Sequence, residues 1–214
     1  MKLPVHVWSD IACPWCWIGK RRLEAALAKF DAKDTVELTF HSFELDPSAP
    51  KSVKEGTYAE RLAKKYGRTP AQAQEMVDSM AARGAAEGLV MDFSKVQATN
   101  TFDAHRLLHF ALEQKKQIEL KERLMKAYFG EGALLSDHDT LVKLATDVGL
   151  DGDAARAALA TDAHAAAVRT DEDDAAELGI SGVPFFVIGR YGVSGAQPPE
   201  LLLQVFEKAK VEAA

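Results

Sequence analysis

The chain has 214 residues, 47% hydrophobic and 27% charged, with 26 Lys and Arg against 32 Asp and Glu for a formal net charge of −6. These proportions exclude the disordered and collagen-like classes. The mild acidity argues against a nucleic-acid or anionic-membrane partner, since both require a basic surface.

Leu3-Pro4-Val5-His6-Val7-Trp8 alternates and is rich in β formers, which predicts a strand, with Pro4 near its start where a missing N–H is tolerated. Cys13 to Phe30 reads as a helix with Pro14 in first position and an apolar stripe of Ile18, Leu23, Ala26, Leu27 and Phe30. Thr35 to Phe43 alternates again and reads as a second strand, followed by Glu44-Leu45-Asp46-Pro47 and a turn-rich stretch to Gly56. From Tyr58 the pattern is almost wholly helical. Helices are expected over Tyr58–Tyr66, over Pro70–Glu87 with Thr69 as cap, and over Thr101–Tyr128 as one long helix or a broken pair. Three more are expected over Asp137–Val148, Asp153–Val168 and Glu172–Leu178. The run Asp171-Glu172-Asp173-Asp174 reads as a solvated first helical turn favoured by the dipole. Val183 to Ile188 and Tyr191 to Ser194 then form two short strands about Gly189-Arg190, and Pro198 to Lys210 closes the chain as a helix with Leu201, Leu202, Val205 and Phe206 inward. The order is β-α-β, a helical block, then β-β-α. We expect one α/β domain, residues 1–55 with 179–214, carrying an inserted all-helical domain, 56–178. Strand, helix, strand at the start implies a parallel pair through a right-handed crossover.

The two cysteines, Cys13 and Cys16, form one local pair, which suggests chemistry rather than a staple framework. They stand at a strand-to-helix turn, where the helix N-terminus supplies peptide N–H groups and partial positive charge to an exposed thiolate at Cys13. Cys13 is then the attacking sulfur, and Cys16, in the turn below, resolves the mixed disulfide. Pro14 stiffens the intervening pair, and Trp15 offers an aromatic surface to a substrate. A structural zinc site normally needs four ligands and no second cysteine pair exists, so no metal is expected. His105 and His109, four apart on a helix, lack an HExxH frame and read as surface or core. Val183-Pro184 at the start of the third strand, if cis, leaves Val183's backbone groups to pair with an extended peptide or with glutathione; a trans proline at an edge-strand start is the other reading.

CPWC at a helix start, the helical insertion, Val-Pro before a hairpin and the last helix resemble the DsbA-like branch of the thioredoxin superfamily. More narrowly, Phe43-Glu44-Leu45-Asp46-Pro47, Asn100-Thr101-Phe102-Asp103-Ala104-His105-Arg106, Gly179 to Val187 and Ser194-Gly195-Ala196-Gln197 resemble the FrnE-like group of cytoplasmic DsbA-like proteins. The resemblance implies a thioredoxin fold, thiol–disulfide exchange through Cys13 and Cys16, and a cis Pro184 facing them. It also makes Asn100, Arg106, Gly195, Ala196 and Gln197 candidate contacts for substrate or glutathione, against a bland reading of Asn100 and Arg106 as a helix cap and a surface charge. No bound cofactor is implied; the redox-active disulfide serves, with glutathione as a candidate co-substrate and protein or small thiols and disulfides as partners. No membrane partner is expected, since no apolar run approaches the roughly 18 residues of a span, and the N-terminus lacks a signal-peptide core, which points to the cytoplasm. A monomer or a homodimer is equally compatible.

Three departures stand out. Trp15 occupies the position of DsbA's histidine, and Val7 stands where the resemblance places a buried carboxylate, leaving Glu44 or water as the candidate proton acceptor for Cys16. The extra C-terminal cysteine pair of some FrnE-like proteins is missing. The alternative function is a glutathione-dependent transferase of the kappa class or a 2-hydroxychromene-2-carboxylate isomerase. Those enzymes use an acid at the last helix start, where this chain has Gly195-Ala196-Gln197-Pro198 and no acid until Glu200. A non-enzymatic binding module, with Trp15, Trp17, Phe185 and Phe186 as its groove, is a third reading, although Trp17 and the phenylalanines read more readily as core.

Overall fold

The computed structural model describes residues 2–53 and 55–213; the terminal residues 1 and 214 of the expected outer domain lie outside the described residues. The chain divides into two compact units, one holding the chain up to Leu45 and from Ala166 on, the other Asp46–Ala165.

In the first unit, β1 (Leu3–Ser9) leads into α1 (Pro14–Lys29), which returns the chain to β2 (Val36–Ser42). β1 and β2 are parallel, in a register that sets Val7 beside Phe40. Val7 also lies opposite Phe186 of β3 (Phe185–Ile188), which runs antiparallel to β1 and pairs with β4 (Tyr191–Ser194). Strand order is β2-β1-β3-β4. Ile188 pairs with Tyr191, so the hairpin turn has two residues, and Gly189 at φ +58° supplies the positive φ that a primed turn requires. This is a thioredoxin fold, β-α-β then β-β-α, interrupted by helices. The alternation seen in the sequence sorts the two faces. Leu3, Val5 and Val7 join Leu23, Ala26, Phe30, Phe40, Phe186, Ile188, Leu202 and Phe206 beneath α1 and α9 (Pro199–Ala213). Trp8 packs with Ala175 and Ile180, and against Phe43, Val183, Phe185 and Val187, on the opposite face.

The second unit is helical: α2 (Tyr58–Tyr66), α3 (Pro70–Ala86), α4 (Phe102–Glu113), α5 (Gln117–Lys126), α6 (His138–Asp147) and α7 (Gly152–Ala160). Capping boxes at Thr57 with Glu60 and at Thr69 with Gln72 start α2 and α3. The stretch 101–128 is a broken pair rather than one helix: Lys115 turns to φ +57° between α4 and α5, and a π-helical segment, Ala127–Glu131, follows.

Four expectations are corrected. The helices expected over Asp153–Val168 and Glu172–Leu178 are instead α7 and α8 (Ala165–Glu177), so the acidic run lies in mid-helix. Asp171 within it is 6% exposed rather than solvated, because it receives hydrogen bonds from β2. That anchoring groups α8 with the sheet, so the units divide at 45/46 and 165/166 rather than at 55 and 178. Leu201 faces outward, while Leu202 and Phe206 are fully buried.

Candidate active site

β1 ends at Ser9, and Asp10 organises the turn that follows. Its Oδ1 accepts the Ala12 N–H at 3.2 Å, its carbonyl accepts the Cys13 N–H at 3.3 Å, and its Oδ2 accepts the Leu45 N–H at 2.9 Å from beyond β2. Asp10 is 2% exposed, so burial in the turn is compensated by backbone donors. Cys13 is thereby delivered to the N-cap position of α1 in extended conformation, with Pro14 in the first turn. No side chain caps this end and its first turn carries no acid, so the positive end of the helix is presented to the sulfur.

The Cys13 Sγ–H points to the Val183 carbonyl at 3.6 Å. The Val183–Pro184 bond is cis. The Pro184 carbonyl accepts the Gly195 N–H at 2.8 Å, and the Arg22 guanidinium on α1 donates to the Ala196 carbonyl at 2.6 Å. Gln197 closes the loop on itself, its Nε2 donating to the Ser194 carbonyl at 2.8 Å. The first unit thus brings Cys13, Pro14, Val183, Pro184, Gly195 and Ala196 into one bonded neighbourhood. Trp15 projects as an exposed indole, while Trp17 is core. Cys16 is buried one turn into α1, and both cysteines are thiols.

α1 comes close to the proline loop because residue 19 is glycine. A Cβ there would stand 2.9 Å from Pro184 Cγ and 3.2 Å from the Phe186 ring. Gly19, Asp10 and Arg22 escaped the sequence reading. The one available signal was a glycine inside a helical pattern, which often marks close packing.

Glu44 follows β2 with its side chain almost wholly buried and accepts from Arg169 Nη1 at 2.8 Å. Burial pushes its carboxyl above the ordinary carboxylate range; Arg169 opposes this, and the nearby Glu172 and Asp10 reinforce it. Leu45, the next residue, is the one held by Asp10, so Glu44 and the CPWC turn are tied to the same carboxylate.

Asn100 and Arg106 belong to the second unit. Asn100 Oδ1 accepts the Phe102 N–H at 2.9 Å, which starts α4. Arg106 is 5% exposed. It donates to Asp103 Oδ1 at 2.8 Å, to the Ala163 carbonyl at 2.9 Å, to the Ala158 carbonyl at 2.7 Å and to the Thr161 carbonyl. The expectation of Arg106 as a surface charge is corrected: its guanidinium is buried and bonds to Asp103, to the end of α7 and to the α7–α8 connection. Asp103 also accepts from Lys51 at 2.9 Å and His138 at 3.0 Å.

Two thiols at a helix start, faced by a backbone carbonyl next to a proline, on a thioredoxin sheet, make an arrangement to compare with known proteins. The chain belongs to the DSBA-like thioredoxin domain family, whose model matches residues 4–207. It is 45% identical to a probable DsbA oxidoreductase of Streptomyces coelicolor, with a TM-score of 0.93 over 98% of this chain and 91% of that one. It is 33% identical to the uncharacterized protein YwbO of Bacillus subtilis, over 98% of this chain and 96% of that protein. A solved 2-hydroxychromene-2-carboxylate isomerase shares the fold at 13% identity, with a TM-score of 0.71 over 98% and 97% of the two chains. Members of the DsbA-like family are thiol–disulfide oxidoreductases.

Proposed function

We propose that this protein exchanges disulfides with thiol or disulfide substrates through Cys13 and Cys16. The observation that carries the reading is the placement of Cys13 Sγ at the uncapped start of α1, 3.6 Å from the Val183 carbonyl. In the reducing direction the Cys13 thiolate attacks one sulfur of the substrate disulfide, forms a mixed disulfide, and expels the other sulfur as a thiolate. The Cys16 sulfur, after giving up its proton, attacks Cys13 Sγ. The Cys13–Cys16 disulfide forms, and the second substrate thiolate leaves. The two substrate sulfurs have gained the two electrons that the protein dithiol has lost. The oxidising direction is the reverse. Glu44, buried and tied to the CPWC turn through Leu45 and Asp10, is one candidate acceptor of the Cys16 proton, with water as the other. Trp15, Pro14, Val183 and Pro184 form the substrate rim, Gly195, Ala196 and Gln197 support it, and glutathione is a fitting small co-substrate. The FrnE-like motifs favour a cytoplasmic member of the family.

Single-cysteine variants test this. Cys13→Ser abolishes exchange, and Cys16→Ser accumulates mixed disulfides on Cys13 that are released by reductant. Undiminished turnover in either variant would overturn the mechanism. Full activity in Cys16→Ser with a glutathione conjugate as product would instead support the glutathione-transferase reading, which does not need the second thiol.

A further inference from the structure

α8 grips the chain that leaves β2 at alternate residues. The Ser42 N–H donates to Asp171 Oδ2 at 2.7 Å and the Glu44 N–H to Glu172 Oε1 at 3.3 Å, while the Leu45 N–H turns to Asp10 Oδ2 at 2.9 Å. The main chain of residue 44 is thereby fixed between α8 and the CPWC turn. Its side chain is 1% exposed and meets Arg169 of α8. Arg169 and Glu172 stand about one turn apart on that helix. A single nitrogen, Arg169 Nη1, donates to Glu44 Oε2 at 2.8 Å and to Glu172 Oε2 at 2.5 Å. One guanidinium thus serves two carboxylates of unequal depth, since the Glu172 side chain is 21% exposed and that of Arg169 is 51% exposed.

A carboxylate as deep as Glu44 tends to hold its proton, because desolvation penalises the charge. Arg169 works against burial, whereas Glu172 and Asp10 work with it. Among the described residues these are the charges that act on Glu44: Arg169 and Glu172 from α8, and Asp10 from the turn after β1. Of the other acids in the run, Asp173 and Asp174 are exposed and Asp171 bonds to Ser42 and His41. The balance leaves the Glu44 carboxyl above its ordinary range, so the native chain keeps this proton to higher pH than the unfolded chain does. The stability that follows is present below the ordinary carboxylate range and is lost as pH rises through the raised one. An ionised Glu44 therefore works against the fold, and perturbed carboxyls of this kind cluster at functional sites.

We propose that Arg169 and Glu172 are positioning residues for disulfide closure and act on Glu44 in opposite senses. Arg169 favours its carboxylate and Glu172 its carboxylic acid, so that α8 sets when Glu44 accepts the Cys16 proton. This rests on the exchange function proposed above, with Glu44 rather than water as the acceptor. In that step the Cys16 thiol passes its proton to the Glu44 carboxylate. The Cys16 thiolate attacks Cys13 Sγ, and the partner sulfur of the mixed disulfide leaves as a thiolate with the bonding electron pair. Glu44 is then a neutral acid, and Arg169 keeps Glu172 as its counter-ion. Loss of the proton to water restores the Glu44–Arg169 ion pair.

The test is carboxyl-carbon NMR on the full chain from about pH 4 to pH 9, with the Glu44 signal assigned by its loss in Glu44→Gln. Beside it, the rate at which the Cys13 mixed disulfide with glutathione closes to Cys13–Cys16 is measured over the same range. In Arg169→Met the Glu44 midpoint rises by about one pH unit, the low end of what an adjacent opposite charge does, because Arg169 is half-exposed. Closure then slows by about tenfold at any pH on its acid limb. Glu172→Gln keeps an acceptor for the Glu44 N–H and removes the like charge, so both the midpoint and the acid limb move to lower pH. Damage to the packing of α8 would move the two variants alike. A midpoint unmoved in either variant, or moved the same way in both, would overturn the proposal. Midpoints that move while the closure profiles stay in place would also overturn it and leave exchange through the cysteines standing. A wild type that never closes its disulfide overturns the exchange reading instead, and the two midpoints still decide whether α8 tunes Glu44. If Arg169→Met does not fold, Glu172→Gln decides alone, and a midpoint that fails to fall overturns the proposal.

Discussion

Asp103→Asn separates a structural Arg106 from a ligand-binding one. Asp103 is almost fully buried at the centre of Arg106, Lys51 and His138. Burial alone would raise its carboxyl, but the hydrogen bonds from Lys51, His138 and Arg106 outweigh burial and hold its pKa down from 3.8 to about 2. At about 1.4 kcal/mol per pH unit, that depression stabilises the native state by about 2 kcal/mol at neutral pH. The sign follows from proton counts. Between pH 3.8 and about 2 the unfolded chain holds the proton and the native chain does not. The stabilisation is complete above that window and is lost as pH falls through it. Asparagine keeps the shape and removes the charge, so the variant loses at least this amount at neutral pH, and up to about 3–5 kcal/mol because the Arg106 charge is left buried and uncompensated. Urea unfolding followed by far-UV circular dichroism reads it, since all three tryptophans, Trp8, Trp15 and Trp17, lie in the other unit. With m near ~2 kcal/mol/M the midpoint falls by about 1 M or more. An unchanged midpoint at neutral pH, or an acid loss in the variant equal to that of the wild type, would refute the reasoning.

Three further outcomes are expected. Glu44→Gln removes the acidic inflection from the pH–rate profile of disulfide formation, because the wild-type rate rises with pH as the raised Glu44 carboxyl ionises; an unaltered profile would dismiss Glu44 as proton carrier. Gly19→Ala drives a methyl against Pro184 and Phe186, costs about 1–3 kcal/mol in chemical denaturation and slows exchange at Cys13; a neutral substitution would mean that α1 does not position the proline loop. Arg106→Lys cannot reproduce the fork onto Asp103 and three carbonyls, so it lowers Tm while leaving the KM for a glutathione-derived disulfide unchanged. A raised KM with unchanged Tm would mark Arg106 as a ligand contact.

The parts of this protein written in local chemistry were legible in its sequence. Strand alternation placed β1 and β2, Pro14 marked the start of α1, and the cysteine spacing at that start marked the candidate site. What escaped depends on partners far along the chain. Asp171 looks like one more acid in a solvated run; its burial follows from Ser42 and His41, about 130 residues earlier. Arg106 looks like a helix-surface charge because its partners are carbonyls of the α7–α8 connection, which carry no side-chain signature. The alanine-rich stretch around that connection offers little periodicity to locate the break between α7 and α8. Asp10 is as ordinary as any turn acid until Leu45 is seen to donate to it.

The most direct test of the central claim is the equilibrium of Cys13 and Cys16 against a series of glutathione redox buffers, with thiols read by alkylation and mass. The account predicts one two-electron transition between the dithiol and an intramolecular Cys13–Cys16 disulfide, with a midpoint within the roughly −270 to −120 mV spanned by related CxxC sites. A pair that never closes, or that takes up glutathione at Cys13 alone, would contradict it.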